Sequence, residues 1–294
     1  MTQREQILRE MGLAPLWQVR EGASRKVSPP NSVADTSTIP SFISTTITPS
    51  LIPTAIATKH SPLQTVGNEV GNLNEKAESN EADQETRDIQ DTQRTQRIAA
   101  MGWDELKQSV QECRACILCE QRKQAVFGVG DVEADWLFLG EGPGAEEDDL
   151  GEPFVGQAGK LLDGMLAAIN LKRGRKVYIA NAVKCHPPGN RNPEPDEIAA
   201  CLPYLERQVA LLQPKLIVTL GKPASETLIG TEIKVGESRG QLFAFRGIPL
   251  IVTYHPAYLL RTLTHKEKAW EDLCFARTTM LASVNSDRKE IDSN

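Results

Sequence analysis

Four cysteines are the feature that most constrains what this chain can fold into. Cys113 and Cys116 form a C-x2-C pair, Cys185 and Cys201 stand alone far downstream, and the 294 residues contain only six cysteines. Thiolates that a fold brings together bind soft metal centres, and four of them suit tetrahedral zinc or a [4Fe–4S] cluster. A zinc ribbon normally has a second C-x2-C knuckle, whereas here a proline-rich loop separates the last two cysteines. Scattered buried thiols are the alternative interpretation.

Composition divides the chain into one folded domain and its extensions. Residues 1–20 predict a short amphipathic helix, and residues 21–96 are rich in Ser, Thr, Pro, Asn, Gln and Glu. Such a segment buries too little apolar area to offset chain entropy, so we expect a disordered linker. The folded domain is predicted over 97–285, followed by a polar tail at 286–294.

Charge and the N-terminal sequence indicate the setting of the protein. No signal peptide or membrane-spanning run is visible, and free cysteines favour a reducing cytoplasm. The net charge is −6 and the pI is about 5.4, so the chain as a whole is not an obvious nucleic-acid binder. A local rim of basic residues would be enough for nucleic-acid binding, although from charge alone an ordinary solvated face is favoured. Its candidates are Lys184, His186, Arg191, Lys222, Arg239, Arg261, His265 and Lys266.

Alternating apolar runs and amphipathic segments predict an α/β fold. The strand candidates are DWLFLG, KVYIANAV, KLIVTLG and the second arm of a hairpin in QLFAFRGIPLIVTYH. Helices are expected between them, after a first helix over about 97–113 and before a last one over about 266–283. This order predicts a three-layer α/β/α sandwich around a four-stranded parallel sheet. Three strands end in polar motifs, which should converge on one pocket at the carboxyl edge of the sheet.

The loop Gly140–Gly159 carries several glycines that let the backbone approach a ligand. It has neither of the usual phosphate-binding patterns, and four consecutive acidic residues within it would repel phosphate. The loop therefore suits a neutral ligand, with Phe154 as a stacking platform or, equally, a core residue. Asn181, at the end of the second strand, offers an acceptor and two donors that could read one edge of a base. A turn or capping role is its alternative.

The last strand runs into HPAYLLR, which begins at His255. An isolated histidine is more often structural than catalytic. A Leu259–Leu260 pair next to Arg261 is less easily dismissed, because a wedge that enters a base stack needs an apolar tip.

Five ordered motifs together resemble family four of the uracil-DNA glycosylases, over roughly residues 104–276. They are ECRACILCEQRKQAVFGVGD, GEGPGAEEDDLGEPFVGQAGKLLD, VYIANAVKCHPPGNRNPEP, LIVTLGKPA and YHPAYLLR. The resemblance implies a [4Fe–4S] cluster, held by Cys113, Cys116, Cys185 and Cys201, and hydrolysis of the N-glycosidic bond of deoxyuridine in DNA. Cys119 is left outside the ligand set, and Cys274 is expected in the core.

The resemblance also implies roles for the base-binding residues. Phe154 would stack on a flipped uracil, Asn181 would pair with its N3–H and O4 edge, and Glu147 would crowd the C5 side against thymine. His255 and the backbone N–H groups around Gly142 would stabilise charge on uracil O2.

The remaining roles concern water and DNA. Either the Glu141 side chain or the Gly142 carbonyl would orient the attacking water, and the sequence does not choose between them. The DNA contacts would be Leu259 or Leu260 as the wedge, with Arg261, Lys184 and Lys222 at phosphates.

Three other interpretations remain open at this point. They are a family-five-like glycosylase with a broader base range, a non-catalytic DNA-binding or polymerase-associated relative, and a zinc-stapled nucleotide-binding protein. We expect a cytoplasmic, nucleoid-associated monomer that acts on single- or double-stranded uracil-containing DNA. The N-terminal helix is a candidate docking element for a repair or replication partner.

Overall fold

The computed structural model describes residues 89–291, with side chains described to residue 283. The predicted N-terminal helix at 1–20 and most of the predicted linker lie outside the described residues. Residues 89–96, which composition assigns to the linker, are instead the start of a helix, α1, over 89–100. These residues contact the folded domain, since Arg94 donates to the carbonyl oxygen of Ala200, so the helix extends the domain to before residue 97.

The helix predicted over 97–113 is two helices. After α1 the chain breaks at Gly102, whose backbone is extended (φ −75°, ψ 177°), and α2 then covers Trp103–Glu112. Glycine carries the largest entropic cost of any non-proline residue within a helix, which explains the position of the break.

The central sheet confirms the predicted fold class and extends it at both edges. Four parallel strands form its middle, as predicted, and a short antiparallel strand is added at each side. The spatial order is β1-β3-β2-β4-β6-β5. The strands are β1 Val129–Gly130, β2 Trp136–Gly140, β3 Val177–Asn181, β4 Leu216–Leu220, β5 Leu242–Phe245 and β6 Ile248–Thr253.

Helices connect the strands and cover both faces. They are α3 Ala145–Leu150, α4 Gln157–Ala168, α5 Pro195–Leu212, α6 Lys222–Ile229, α7 Val235–Ser238, α8 Pro256–Arg261 and α9 Lys266–Ile291. The helix α9 runs to Ile291, so the predicted polar tail at 286–294 begins as helix. The segment lacks a glycine or proline that would end it.

Side-chain alternation along the strands explains the three layers. In β2, Trp136 and Phe138 join one apolar cluster with α4 and α9, while Leu137 and Leu139 join the other with α5 and α6. Residues of β2, β3 and β4 are buried throughout, which is typical of parallel strands covered on both faces. None of the helices in the described part of the chain is long and apolar enough to cross a membrane.

A third apolar cluster attaches the two N-terminal helices to the sandwich. Ile98 near the end of α1 and Met101 just after it share this cluster with Leu106 and Val110 of α2 and with Tyr204 on α5. The end of α1 is therefore packed on the folded domain.

This docking yields a matched pair of substitutions within α1. Ile98→Ala should lower the free energy of unfolding by about 2–4 kcal/mol, since it removes buried methyl groups and leaves a cavity. Ile89→Ala, on the half-exposed start of the same helix, should change it by less than about 0.5 kcal/mol. Urea unfolding followed by circular dichroism measures both, and equal effects would show that α1 is not packed on the domain.

Candidate active site

An open cleft of about 710 Å³ lies at the carboxyl edge of the sheet. The polar ends of β2, β3 and β6 meet there, as the sequence predicts, together with the start of α6. The predicted site residues that line it are Glu141, Gly142, Glu147, Phe154, Asn181, Lys222, His255 and Arg261. Residues that the sequence analysis did not assign to the pocket also line it, among them Asn190, Asn192, Tyr254 and Tyr258.

The register of β2 and β3 sets the floor of the cleft. Gly140 pairs directly with Asn181 at the last position of both strands. A Cβ on Gly140 would collide with Asn181 Oδ1 and would lie 2.6 Å from Cζ of Phe154. Glycine at this position therefore lets the amide and the aromatic ring share the space above the strand end.

Asn181 has a buried acceptor with no partner among the described residues. The residue is 2% exposed and its side-chain Oδ1 accepts no hydrogen bond. Its own backbone carbonyl is fixed, because the Lys184 ammonium donates to it at 2.8 Å. A buried unpaired oxygen costs about 1–3 kcal/mol, so its persistence at the bottom of a cleft indicates a ligand that donates to it.

Phe154 forms one wall, and its backbone is held in an unusual conformation. Its φ is 56°, in the left-handed region, and Arg173 donates to its carbonyl oxygen at 2.9 Å. Gly159 on α4 packs against that same carbonyl, where a Cβ would collide. The Phe154 ring lies 5.5 Å from the His255 ring, centroid to centroid, at an interplanar angle of 32°. A flat ligand bound on Phe154 would therefore have an imidazole beside it.

His255 is held as a neutral hydrogen-bond donor. Its Nδ1 accepts the backbone N–H of Ala257 at 3.1 Å, which caps α8. Burial, with a smaller contribution from the positive charge of Arg261, lowers the pKa of His255 to about 4. With Nδ1 occupied as an acceptor, the single proton of the neutral ring is on Nε2.

Two carboxyl groups of the glycine-rich loop lie in different environments. Burial raises the pKa of Glu141 to about 7, so this carboxyl is partly protonated at neutral pH. Glu147 Oε2 instead accepts the backbone N–H of Gly144 at 2.9 Å, which fixes the carboxylate at the start of α3. Glu141 is therefore suited to proton transfer, whereas the Glu147 carboxylate is held in one position.

The four predicted ligand cysteines line one small cavity. Cys113, Cys116, Cys185 and Cys201 are joined there by Cys119, and all five are free thiols. As their side chains stand, no three His, Cys, Asp or Glu groups in residues 89–283 form a metal-binding arrangement.

Cations surround these thiols. Arg122 donates to Cys185 Sγ at 2.9 Å, the backbone N–H of Lys184 approaches Cys201 Sγ at 3.3 Å, and the Lys184 ammonium is buried nearby. Burial raises the pKa of Cys185 to about 11 and that of Cys201 to about 12. The site therefore suits a soft metal group that replaces the protons and whose negative thiolates meet positive charge. Arg122 was missed by sequence reasoning, and its position six residues after Cys116 is the only signal for it.

Two predicted DNA contacts are wrong. Lys184 is 1% exposed, and its ammonium is engaged by the Asn181 carbonyl, so it cannot reach a phosphate. Leu259 is also 1% exposed and packs in the core beneath α8, which leaves Leu260, at 40% exposure, as the apolar tip. Arg261 and Lys222 are exposed at the cleft, although Lys222 pairs with Glu232 at 2.8 Å.

Comparisons with known proteins agree with this geometry. Residues 127–274 match the family described as the uracil DNA glycosylase superfamily. A type-4 uracil-DNA glycosylase of Sulfurisphaera tokodaii is 42% identical over 168 residues, covering 53% of this chain and 75% of the relative. The type-4 enzyme of Pyrobaculum aerophilum is 39% identical over 181 residues, covering 59% and 92%. That of Thermotoga maritima is 40% identical over 163 residues, covering 55% and 84%.

The identity to these relatives extends over most of their length, and it selects type four among the interpretations that the motifs left open. The chain belongs to the uracil-DNA glycosylase superfamily and, within it, to the type-4 uracil-DNA glycosylases.

Proposed function

We propose that the cleft binds a deoxyuridine flipped out of DNA and hydrolyses its N-glycosidic bond, releasing uracil and leaving an abasic site. As a type-4 uracil-DNA glycosylase, the chain is a hydrolase of N-glycosyl bonds that acts in DNA repair. The observation that carries the proposal is the buried, unpartnered Oδ1 of Asn181, placed beside the Phe154 ring. An acceptor and a stacking surface at the bottom of one cleft suit a flat base that donates a hydrogen bond.

Base recognition follows from these groups. The Asn181 amide accepts from uracil N3–H and donates to O4, whereas cytosine presents the reverse polarity at both atoms. Phe154 stacks on the ring, and Glu147, fixed by Gly144, lies on the C5 side where it excludes the methyl group of thymine. A site built to hydrogen-bond one edge rejects a mismatched base strongly, because its buried groups are then left unpaired.

Bond cleavage places negative charge on uracil O2, and two groups stabilise it. His255 donates from Nε2, and the backbone N–H of Gly142 supplies a second donor in the manner of an oxyanion hole. A neutral imidazole serves this role without a proton being taken from solvent. The sugar becomes oxocarbenium-like, and Glu141 orients the water that attacks it. We choose Glu141 over the Gly142 carbonyl because burial keeps its pKa near the working pH.

The DNA is held at the rim of the cleft. Leu260 fills the space that the flipped nucleotide vacates, at an unstacking cost of a few kcal/mol that the contacts offset. Arg261 and Lys222 contact phosphates, and a phosphate at Lys222 displaces Glu232. Action on single or double strands, a monomeric state and a cytoplasmic, nucleoid-associated location stay predictions from the sequence, as does partner binding by the N-terminal helix.

The four cysteines Cys113, Cys116, Cys185 and Cys201 would hold a [4Fe–4S] cluster. Support comes from their shared cavity, the flanking cations and the type-4 family. When bound, the cluster supplies a structural cross-link, since glycoside hydrolysis involves no electron transfer. Its ligands fix both ends of the loop that follows Asn181.

Release of free uracil from a uracil-containing oligonucleotide tests the function, and Asn181 variants test the recognition. Asn181→Asp should lower the uracil-release rate roughly 10³-fold, because an ionised carboxylate cannot donate to O4 and repels it. A trace of cytosine release is expected from this variant, while Asn181→Ala should lose rate without gaining cytosine. Single-turnover assays at equal folded fraction measure both bases, and unchanged base selectivity in the Asp variant would refute the assignment.

His255→Ala should slow the chemical step by roughly 10²–10³, the scale for removing one oxyanion donor. His255→Gln should retain part of the rate, because its amide still presents an N–H. Binding of the oligonucleotide, measured by fluorescence anisotropy, should change little in either variant. A normal single-turnover rate for the Ala variant would show that His255 only caps α8.

The raised pKa of Glu141 predicts a pH profile. The wild-type single-turnover rate should rise with pH and level off above about 7, as the carboxyl ionises. Glu141→Gln should be slower and nearly flat in this range, whereas Glu146→Gln, at an exposed neighbour, should keep the wild-type profile.

Stability gives an independent reading of the same group. The pKa of Glu141 in the folded state lies above the ordinary value of 4.5. The contribution of its protonated carboxyl to the free energy of unfolding is therefore full below pH 4.5 and is lost as pH rises through about 7. In Glu141→Gln this decrease in the free energy of unfolding with rising pH should be absent. If the rate of the Gln variant still rises through pH 7, another group orients the water.

A further inference from the structure

Arg94, on the helix that precedes the family-matched residues, reaches the cysteine site. Its Nη2 donates to the carbonyl oxygen of Ala200 at 2.8 Å and lies 4.0 Å from Cys113 Sγ. Its guanidinium carbon lies 5.1 Å from the centroid of the Tyr204 ring, within the range of a cation–π contact. One side chain of α1 thus contacts α5, an aromatic ring and a predicted ligand thiol.

These contacts join two separate parts of the ligand set. Ala200 immediately precedes Cys201, so Arg94 bridges the backbone at one predicted ligand and the sulfur of another. Tyr204 exchanges hydrogen bonds with Ser109 on α2, at 3.0 Å to its hydroxyl and 3.2 Å to its carbonyl. These hydrogen bonds hold in place the Tyr204 ring against which Arg94 packs.

Arg94 also stands where solvent would reach Cys113. A groove of about 550 Å³ opens beside this cysteine, between α1, α2 and the start of the cysteine loop. Arg94 and Tyr204 form part of its wall. A shorter side chain at position 94 would widen the groove next to the thiol.

Arg122 makes the corresponding contact on the other side of the site. It donates to Cys185 Sγ at 2.9 Å and to the carbonyl oxygens of Gln111 and Cys113 at 2.6 and 3.0 Å. The negative charge of metal-bound thiolates would thus face a guanidinium from each of two directions. Outer groups of this kind orient the ligands and set the retention and the potential of a metal centre.

We propose that α1 is a cap on the metal site and that Arg94 is its positioning residue, shielding Cys113 and retaining the cluster. This inference rests on the cluster proposed above. It assigns residues 89–100 to the cluster-binding unit, although the family match begins only at residue 127. Arg94 touches neither substrate nor reacting atoms, so its effect is on cluster lifetime.

The test measures the rate at which the full-length, iron-loaded protein loses iron in excess EDTA. The decay of the visible thiolate-to-iron absorbance monitors this loss. Arg94→Ala should lose iron about tenfold faster than the parent, the lower end of the effect of outer-shell partners. Arg94→Lys should be intermediate, since it keeps the charge without the planar fork. Lys107→Ala removes one positive charge from an exposed position of α2 outside the lining of this groove and should match the parent.

Hydrogen exchange separates shielding by Arg94 from general loosening of α1. Amides of residues 89–100 should remain protected in Arg94→Lys and in Arg94→Gln, which keeps a donor for the Ala200 carbonyl but has no charge. Faster iron loss in the Gln variant with α1 still protected supports the proposal. Parent-like iron loss in Arg94→Ala and Arg94→Gln would overturn it.

The iron and sulfide content of the parent protein distinguishes the two levels of inference. A parent without iron would remove the proposed cluster and the cap with it. A parent that contains iron, together with variants that retain it equally well, would remove the cap alone. Uracil release is not needed for either decision.

Discussion

The parallel pairing of β2 with β3 is the constraint on which the site depends. Their register ends with Gly140 opposite Asn181, and the pairing continues into the loops, where the backbone N–H of Ala182 donates to Gly140 and that of Val183 to Glu141. The two strands therefore place the glycine-rich loop and Asn181, the residue proposed to bind uracil, side by side. A slip of one residue would bury the Asn181 side chain on the opposite face of the sheet, because side chains alternate along a strand.

Burial acts on two groups of the cleft in opposite directions and gives each the protonation state that its role needs. Desolvation penalises a charged form, so it lowers the pKa of His255 and raises that of Glu141. At neutral pH the histidine is a neutral donor, while the glutamate exchanges a proton readily. The donor proposed for the leaving base and the base proposed for water thus owe their protonation states to one physical cause, without an ion pair between them.

Much of the fold could be predicted, because apolar runs of strand length and amphipathic helices carry their signal locally. The predictions for individual residues that were wrong depend on the direction in which a side chain points. Composition and spacing do not contain that direction. Lys184 looked like a rim cation, but its ammonium turns inward to a carbonyl three residues away. Leu259 and Leu260 differ by about 100° around α8, so one faces the core and the other solvent. The start of α1 was missed because residues 89–96 are largely polar, and the contact of Arg94 with Ala200 is polar and distant in sequence.

The cysteine site and the cleft are connected through shared loops and hydrogen bonds. Arg122 contacts Cys185, and the next two backbone N–H groups, of Lys123 and Gln124, donate to the buried carboxylate of Asp148 on α3. Glu147, the preceding residue, faces the cleft from the same helix. On the other side, Cys185 lies four residues after Asn181 in sequence. A metal group at the cysteines would therefore hold both walls of the proposed base pocket, which gives a hydrolase that needs no redox chemistry a structural reason to keep one.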